Sequence, residues 1–181
     1  KLTASDGAED DMFGTSVSLS GDRLVVGAEF DDKFQGAAPG SAYVFEYEYV
    51  EVESDWAWVE KAKLTPFGGD GNDRFGRSVS LSGDRLVVGA YGSDSWKGSA
   101  YVFVYNGTDW GMGQKLTDSD GVEHDGFGFS VSVSGDRVVV GVSGVDSDQG
   151  SAYVFEYDGT NWNTGPKLTA FDGEADDEFG W

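Results

Sequence analysis

A repeat of 52 residues constrains this chain more than any other feature of its sequence. Two short motifs recur together, beginning at Lys1, Lys63, Lys115 and Lys167 (Lys-Leu-Thr) and at Phe13, Phe75, Phe127 and Phe179 (Phe-Gly). The first step is ten residues longer, because there are insertions between Gly27 and Gly40 and between Tyr47 and Lys63. Such repeats predict tandem structural units that pack on their neighbours.

Each unit contains short runs with the alternating apolar pattern of β-strands. In the first unit they are SVSLS at 16–20, LVVGA at 24–28 and SAYVFEY at 41–47. A fourth strand is predicted to begin at the tryptophan of each unit, Trp58, Trp110 or Trp162. The SGDR sequence between the first two strands predicts a tight turn, because Gly readily adopts a positive φ. We therefore predict an all-β fold, a β-propeller segment of tandem four-stranded antiparallel blades.

The Phe-Gly motifs set the predicted unit boundaries. Phe13, Phe75 and Phe127 are predicted to be buried between neighbouring blades, because Phe beside Gly lets one backbone approach the next. Residues 1–12 are predicted to be the end of a preceding blade and its loop, and 13–74 a blade with insertions. Residues 75–126 and 127–178 are two further predicted blades, and 179–181 the start of another. Three blades are too few for a closed ring, because closed propellers have roughly 4 to 8 blades. We expect these residues to be a segment of one larger propeller. The alternative is that several chains complete an assembly.

The order of motifs within each unit resembles the FG-GAP repeat, the blade unit of integrin α-subunit propellers and of many microbial and algal surface proteins. The first unit has Phe13-Gly14, VVGA at 25–28 and GSAYVF at 40–45, and the other two keep this order. The resemblance implies a non-enzymatic extracellular or cell-surface scaffold for adhesion or for binding matrix or other partners. Such repeats often carry a calcium loop between strands one and two. Here SGDR occupies that place, so we expect no calcium site there.

The strong negative charge limits the partners of the chain. Its 33 acidic and 12 basic residues give a formal net charge of −21. Nucleic acid is therefore not an expected partner, because its phosphates are bound by clustered cations. No apolar run approaches the roughly 20 residues of a membrane-spanning helix, so no membrane insertion is expected in this segment.

Most of the acidic residues fall in loops at one end of the predicted blades. The connections between strands two and three, and those between blades, carry 21 of the 33. Carboxylate and carbonyl oxygens are the ligands that Ca²⁺ prefers, so these loops form a candidate calcium site. The candidate metal ligands are Asp146, Asp148, Asp118, Asp120 and Glu123. The alternative is an acidic surface that is only solvated.

Residues that recur in every unit are predicted to be structural. Asp11, Asp73, Asp125 and Asp177 precede Phe-Gly by two residues and are expected to accept backbone N–H groups. Function is expected where the units differ. The predicted partner-binding residues are Phe30, Phe34, Trp96 and Trp56, the last of them in an acidic hairpin over 46–58. The expected partner is a protein or glycan on the acidic loop face, or further copies of the chain.

The sequence offers no catalytic set. His124 is the only histidine, and the matching positions hold Asp or Asn, so we expect an exposed loop residue and no enzyme activity. Asn106-Gly107-Thr108 is a predicted glycosylation acceptor if the protein is secreted. Two alternative functions remain open. One is a building block of an extracellular filament, coat or wall layer, and the other is the propeller part of a hydrolase with its catalytic centre outside this segment.

Overall fold

The computed structural model describes residues 1–31, 38–52, 54–69, 71–144, 149–174 and 177–181. Within these residues, the strands form three four-stranded antiparallel sheets, and strands that follow each other in the chain are neighbours in the sheet. Blade 1 consists of β1 (Ser16–Ser20), β2 (Arg23–Ala28), β3 (Ser41–Val50) and β4 (Asp55–Leu64). Blade 2 consists of β5 (Ser78–Ser82), β6 (Arg85–Ala90), β7 (Ser99–Val104) and β8 (Gln114–Leu116). Blade 3 consists of β9 (Val131–Ser134), β10 (Arg137–Val142), β11 (Ser151–Tyr157) and β12 (Trp162–Leu168).

These sheets confirm the predicted fold of tandem four-stranded antiparallel blades. The connection between β6 and β7 contains a short turn over Ser93–Trp96, which is not a right-handed helix because Asp94, Ser95 and Trp96 have φ values of 51°, 61° and 66°. No helix in the described part of the chain is long and apolar enough to cross a membrane.

Two of the fourth strands do not begin at the predicted tryptophan. In blade 1, β4 begins at Asp55, ahead of Trp58. The fourth strand of blade 2 begins at Gln114 and not at Trp110. In blade 2, hydrogen bonds from side chains to the backbone hold residues 106–111 in a loop. Asn106 Oδ1 accepts the backbone N–H groups of Thr108 and Asp109, and Asp109 Oδ1 accepts that of Gly111. These bonds offer the backbone an alternative to strand pairing.

The antiparallel order gives every blade two distinct ends. The β1–β2 and β3–β4 connections of blade 1, and their equivalents, lie at one end, which we call the turn end. The β2–β3 connection and the connection to the next blade lie at the other, the loop end. At the turn end, the predicted tight turn is present, with Ser20 paired to Arg23 and Gly21 at a φ of 58°.

The hydrophobic core lies between blades. One cluster joins Val25, Val44 and Leu64 of blade 1 to Leu81 and Phe103 of blade 2, and an equivalent cluster joins blades 2 and 3. Phe75 and Phe127 are fully buried in these clusters, as predicted. The same prediction for Phe13 is wrong. Phe13 packs on Tyr43 and Phe45 but is only partly buried, because among the described residues Leu2 and Ala4 alone pack on that side of blade 1 from outside the blade.

The backbones of the Phe-Gly motifs at Phe75, Phe127 and Phe179 dock into the preceding blade. Phe75 N donates to Pro39 O at 2.9 Å, and Ser16 Oγ donates to Gly76 O at 2.7 Å. A Cβ added at Gly27 would lie 1.9 Å from Gly76 O, and one at Gly89 would lie 1.9 Å from Gly128 O. Only glycine allows this close approach of two backbones. We call this contact between consecutive blades the seam.

An arginine at the turn end also reaches into the following blade. Arg23 Nε lies 2.8 Å from Glu46 Oε1 in its own blade, and its Nη1 pairs with Asp84 of blade 2. The guanidinium lies 4.0 Å from the ring centroid of Tyr105, a cation–π contact. Arg85 repeats the arrangement with Asp136 and with Tyr157 of blade 3. This interaction was not among the contacts predicted from the sequence.

Replacing Phe75 with alanine should destabilise the chain by about 3 to 5 kcal/mol, because the ring is buried between two blades. The control is Phe171→Ala, since Phe171 is 100% exposed and should change stability little. Urea unfolding followed by tryptophan fluorescence measures both. A loss below about 1 kcal/mol for Phe75→Ala would contradict the role of this ring in the core.

Candidate functional site

Three of the four repeated aspartates at the loop end have the predicted structural role. Asp11 Oδ2 accepts the backbone N–H of Ala8, Asp125 Oδ2 that of Val122, and Asp177 Oδ2 that of Glu174. Each carboxylate thus closes a short turn just before Phe-Gly. Asp11 and Asp125 are also buried, so these repeated acids stabilise the entry into a blade and are not a free surface for a ligand.

Asp120 is held by residues of blade 3. Tyr153 Oη donates to Asp120 Oδ1 at 2.6 Å, and Lys167 Nζ donates to Asp120 Oδ2 at 3.1 Å. These two donors lower the pKa of Asp120, while burial and the bond to Asp120 raise the pKa of Tyr153 to about 12. Blade 1 has the same arrangement, in which Tyr43 and Lys63 contact Asp6. Both oxygens of Asp120 are therefore already engaged.

Asp118 lies in the opposite electrostatic environment. Burial raises its pKa, and the negative charges of Asp125 and Asp120 raise it further, although Lys167 acts against them. Glu123 is exposed. In the described parts of the chain, no group of three or more Asp, Glu, His or Cys side chains is placed to hold a metal ion. The structure therefore does not bring Asp118, Asp120 and Glu123 together as a preformed site, and calcium binding here stays a prediction.

Three of the predicted site residues lie outside the described residues. They are Phe34, Asp146 and Asp148.

Two predicted partner-binding aromatics contact an arginine between blades 1 and 2. The guanidinium of Arg74 lies 3.8 Å from the ring centroid of Phe30 and 6.0 Å from that of Trp96. Trp96 also packs edge-on against Tyr91, at 5.4 Å between ring centroids. Phe30 and Trp96 are accordingly half-buried, and much of their surface is used within the loop end.

Trp56 lies in a different environment, at the turn end of blade 1. It belongs to β4, and it pairs with Tyr49 across the β3–β4 hairpin. Its ring stacks on Tyr47, with 5.5 Å between centroids and 27° between planes, and meets Tyr49 edge-on at 6.1 Å. Trp56 is nevertheless 56% exposed, and Tyr47 and Tyr49 are exposed as well. We call Tyr47, Tyr49 and Trp56 the hairpin aromatic cluster.

The hairpin aromatic cluster exists because blade 1 has the longest third and fourth strands among the described residues. β3 and β4 have 10 residues each, whereas the equivalent β7 and β8 have 6 and 3. The extra residues extend the pairing past the edge of the blade and keep the same alternation. Tyr47, Tyr49 and Trp56 therefore stay on one face of the hairpin. The predicted partner-binding residues include Trp56 but not the two tyrosines, which the alternation over EYEYV could have indicated.

Two other predicted positions are exposed. Asn106 lies in the β7–β8 connection, where its Nδ2 lies 3.2 Å from Asp109 Oδ1. Its glycosylation stays a prediction. His124 is an exposed loop residue with a φ of 74°, as the sequence analysis expected.

Replacing Asp118 with asparagine should stabilise the chain at pH 7 in the presence of a chelator. The ionised carboxylate is disfavoured in the folded state, so its cost is present when Asp118 is charged and disappears as the pH falls below the ordinary value of 3.8. We expect a gain of a few tenths of a kcal/mol, because solvent screens a partly exposed charge. Thermal melting at pH 7 and at pH 3.5 measures the difference between the two proteins.

The same variant tests the calcium prediction. Calcium bound at these carboxylates would raise the melting temperature of the wild-type chain at constant ionic strength, and Asp118→Asn would lose that rise. Equal melting of the wild-type chain in chelator and in millimolar Ca²⁺ would contradict the prediction.

Comparison with known proteins supports the interpretation of the repeat. A family model described as FG-GAP repeat matches residues 1–45, 58–103 and 110–155. No curated protein sequence matches the chain. Among solved structures, a europium-containing methanol dehydrogenase is 16% identical with a TM-score of 0.49, over 84% of this chain and 24% of that one. A Bombyx mori GH32 beta-fructofuranosidase mutant in complex with sucrose is 16% identical with a TM-score of 0.42, over 91% of this chain and 37% of that one.

The family match extends over three consecutive repeats, and each of them contains the Phe-Gly, Val-Gly and GSAYVF positions that form the seam. The chain therefore belongs to the FG-GAP repeat family.

Proposed function

We propose that this chain is a non-enzymatic scaffold outside the cell, and that it binds a protein partner through the hairpin aromatic cluster of blade 1. The observation that carries the proposal is the exposure of three aromatic side chains that are already stacked on each other. Exposed aromatic side chains grouped in one place often mark an interaction site. Tyr and Trp also provide large contact areas with few rotatable bonds, so ordering them costs little conformational entropy.

The hairpin is rigid enough to present these side chains in a fixed arrangement. Tyr49 pairs with Trp56 and Tyr47 with Trp58 across antiparallel strands. Lys61 Nζ also lies 2.7 Å from Glu48 Oε2, which joins the two strands through their side chains. A partner therefore meets a surface that is already ordered, which reduces the entropy lost on binding.

The charge around the cluster favours a basic partner. Glu51 and Asp55 are exposed and lie close to Tyr49 and Trp56 in the sequence, and the whole chain has a formal charge of −21. The faces of Trp and Tyr rings attract Arg and Lys side chains, and nearby carboxylates add to that attraction. We infer that the partner is a protein that presents arginine or lysine side chains.

The proposed location outside the cell rests on the family and on the sequence. FG-GAP repeats are characteristic of surface and extracellular proteins, and the predicted acceptor Asn106 is exposed. Several blades held together by the seam form a rigid support, and a rigid support suits the presentation of an adhesive surface.

Replacing Trp56 with alanine should weaken binding of a basic peptide. The probe is an octa-arginine peptide, titrated into the chain in an isothermal calorimeter at physiological ionic strength. We expect a loss of about two- to fivefold in affinity, the range of an exposed cation–π contact. The matched control is Phe171→Ala, which removes an aromatic ring that is fully exposed elsewhere and should leave affinity unchanged.

Two outcomes would contradict the proposal. If both variants bind the peptide as the wild-type chain does, the peptide senses only the overall charge, and the cluster is not the site. If a neutral oligosaccharide binds in a way that depends on Trp56 and the peptide does not, the cluster is a glycan site.

A further inference from the structure

The two interfaces between consecutive blades differ at the position just before the Lys-Leu-Thr motif. Gln114 holds this position in blade 2, and Ala62 holds the matching position in blade 1. The side chain of Gln114 reaches into blade 3, where its Nε2 donates to Trp162 O and its Oε1 accepts the backbone N–H of Trp162, both at 3.2 Å. One carboxamide thus satisfies both backbone groups of that tryptophan.

Ala62 cannot make the equivalent contact with Trp110 of blade 2, because its side chain is a methyl group. Among the described residues, neither the backbone N–H nor the C=O of Trp110 has a hydrogen-bond partner. The ring of Trp110 keeps its usual place, since it packs on Tyr105 at 5.4 Å between centroids, as Trp162 packs on Tyr157 at 5.2 Å. Both tryptophans are buried. The place that a carboxamide fills between blades 2 and 3 is therefore left open between blades 1 and 2.

A cavity of about 510 Å³ lies at this place. Its walls are β4 of blade 1 and the loop of residues 106–111 in blade 2, and Asp109 and Gly111 of that loop are exposed to solvent. The volume lies within the roughly 300 to 1,000 Å³ of ligand pockets. Residues of both blades line it, among them Glu46, Lys61, Ala62, Tyr105, Asp109 and Trp110.

The charged side chains that line the cavity already have partners. Glu46 Oε1 accepts from Arg23 Nε at 2.8 Å, and Lys61 Nζ lies 2.7 Å from Glu48 Oε2. Asp109 Oδ1 accepts a backbone N–H of its own loop at 2.7 Å. A charged ligand would have to compete with these pairs, so the cavity favours a neutral polar group.

We propose that the cavity between Ala62 and Trp110 binds the side-chain carboxamide of a glutamine that a peptide or protein partner presents. The nitrogen of that carboxamide donates to Trp110 O, and its oxygen accepts the backbone N–H of Trp110, as Gln114 does with Trp162. A carboxylate cannot replace it, because it has no N–H to donate to Trp110 O.

This site is separate from the hairpin aromatic cluster. Glu46 lines the cavity, and Tyr47, the next residue of β3, belongs to the cluster. Successive side chains of a strand point to opposite faces, so the cavity and the cluster lie on opposite faces of the hairpin. The wall of the cavity is also held in place before binding, because Asn106 and Asp109 fix the loop. A fixed wall reduces the entropy lost on binding.

The backbone resonance of Trp110 reports on the proposed site. The chain contains six tryptophans, so labelling with nitrogen-15 tryptophan gives a spectrum with few signals, and Trp110→Phe assigns the one needed. The probe is the tripeptide Gly-Gln-Gly, acetylated and amidated, and the matched peptides carry Glu or norleucine in place of Gln. We expect the Gln peptide to shift the Trp110 signal to saturation. The other two peptides should bind about tenfold more weakly or worse, because they leave a backbone group unpaired.

Two variants exploit the difference between the interfaces. Ala62→Gln places a carboxamide of the chain itself in the cavity, as Gln114 does in the next interface, and should weaken binding of the Gln peptide about tenfold or more. Its control is Ala8→Gln, which adds the same side chain at an exposed position and should bind as the wild-type chain does. Gln114→Ala should open a second site, so that the Trp162 signal also responds to the peptide.

Several outcomes would overturn the proposal. One is a Trp110 signal of the wild-type chain that does not respond to millimolar Gln peptide. Another is equal binding by the wild-type chain and Ala62→Gln, since the peptide would then bind elsewhere. If the norleucine peptide binds as tightly as the Gln peptide, backbone amides and not the carboxamide are recognised. If only N-acetylglucosamine shifts the Trp110 signal, the cavity is a site for an acetamido sugar and not for glutamine.

Discussion

The seam brings two backbones so close that no side chain fits between them, and the arrangement of the blades depends on this approach. Gly27 faces Gly76 O, Gly89 faces Gly128 O and Gly141 faces Gly180 O, each at a distance that a Cβ could not occupy. Serine hydroxyls from the preceding blade donate to the same carbonyls, at 2.7 to 2.9 Å. The Phe rings next to Gly76 and Gly128 are thereby held against the third strands of their blades.

Because the core lies between blades, each blade has two faces that require a neighbour. Among the described residues, the middle blade packs against another blade on both faces, whereas each outer blade packs against another blade on one face. The stability of such a chain is a sum over contacts between neighbours, as in other repeat proteins. It follows that the exposed residues Val17, Leu19 and Arg137 are the ordinary contact residues of a blade at positions where the described chain supplies no neighbour.

The features that could be predicted from the sequence are those set by local pattern. The alternation of apolar and polar residues predicts the strands, and SGDR predicts the tight turns. The position of Asp125 two residues before Phe127 predicts an aspartate that accepts backbone N–H groups. Contacts between units were harder to foresee. Arg23 and Tyr105 are 82 positions apart. In the sequence, only their recurrence as Arg85 and Tyr157 indicates that the two side chains are in contact. The hydrogen bonds of Asp120 could not be predicted for a similar reason, because their donors Tyr153 and Lys167 lie on later strands.

The difference between repeated residues and inserted residues explains where a binding surface can arise on this scaffold. Repeated side chains such as those of Phe75, Trp110 and Asp125 are buried by the packing of the blades and are unavailable to a partner. Acids that are repeated are also engaged, as Asp120 shows. Residues of an insertion at the turn end are not required for packing between blades, because the insertion extends past the edge of the blade. The cross-strand pairing of β3 and β4 continues through the insertion, so the insertion keeps the order of the sheet and places Tyr49 and Trp56 in solvent on a rigid support.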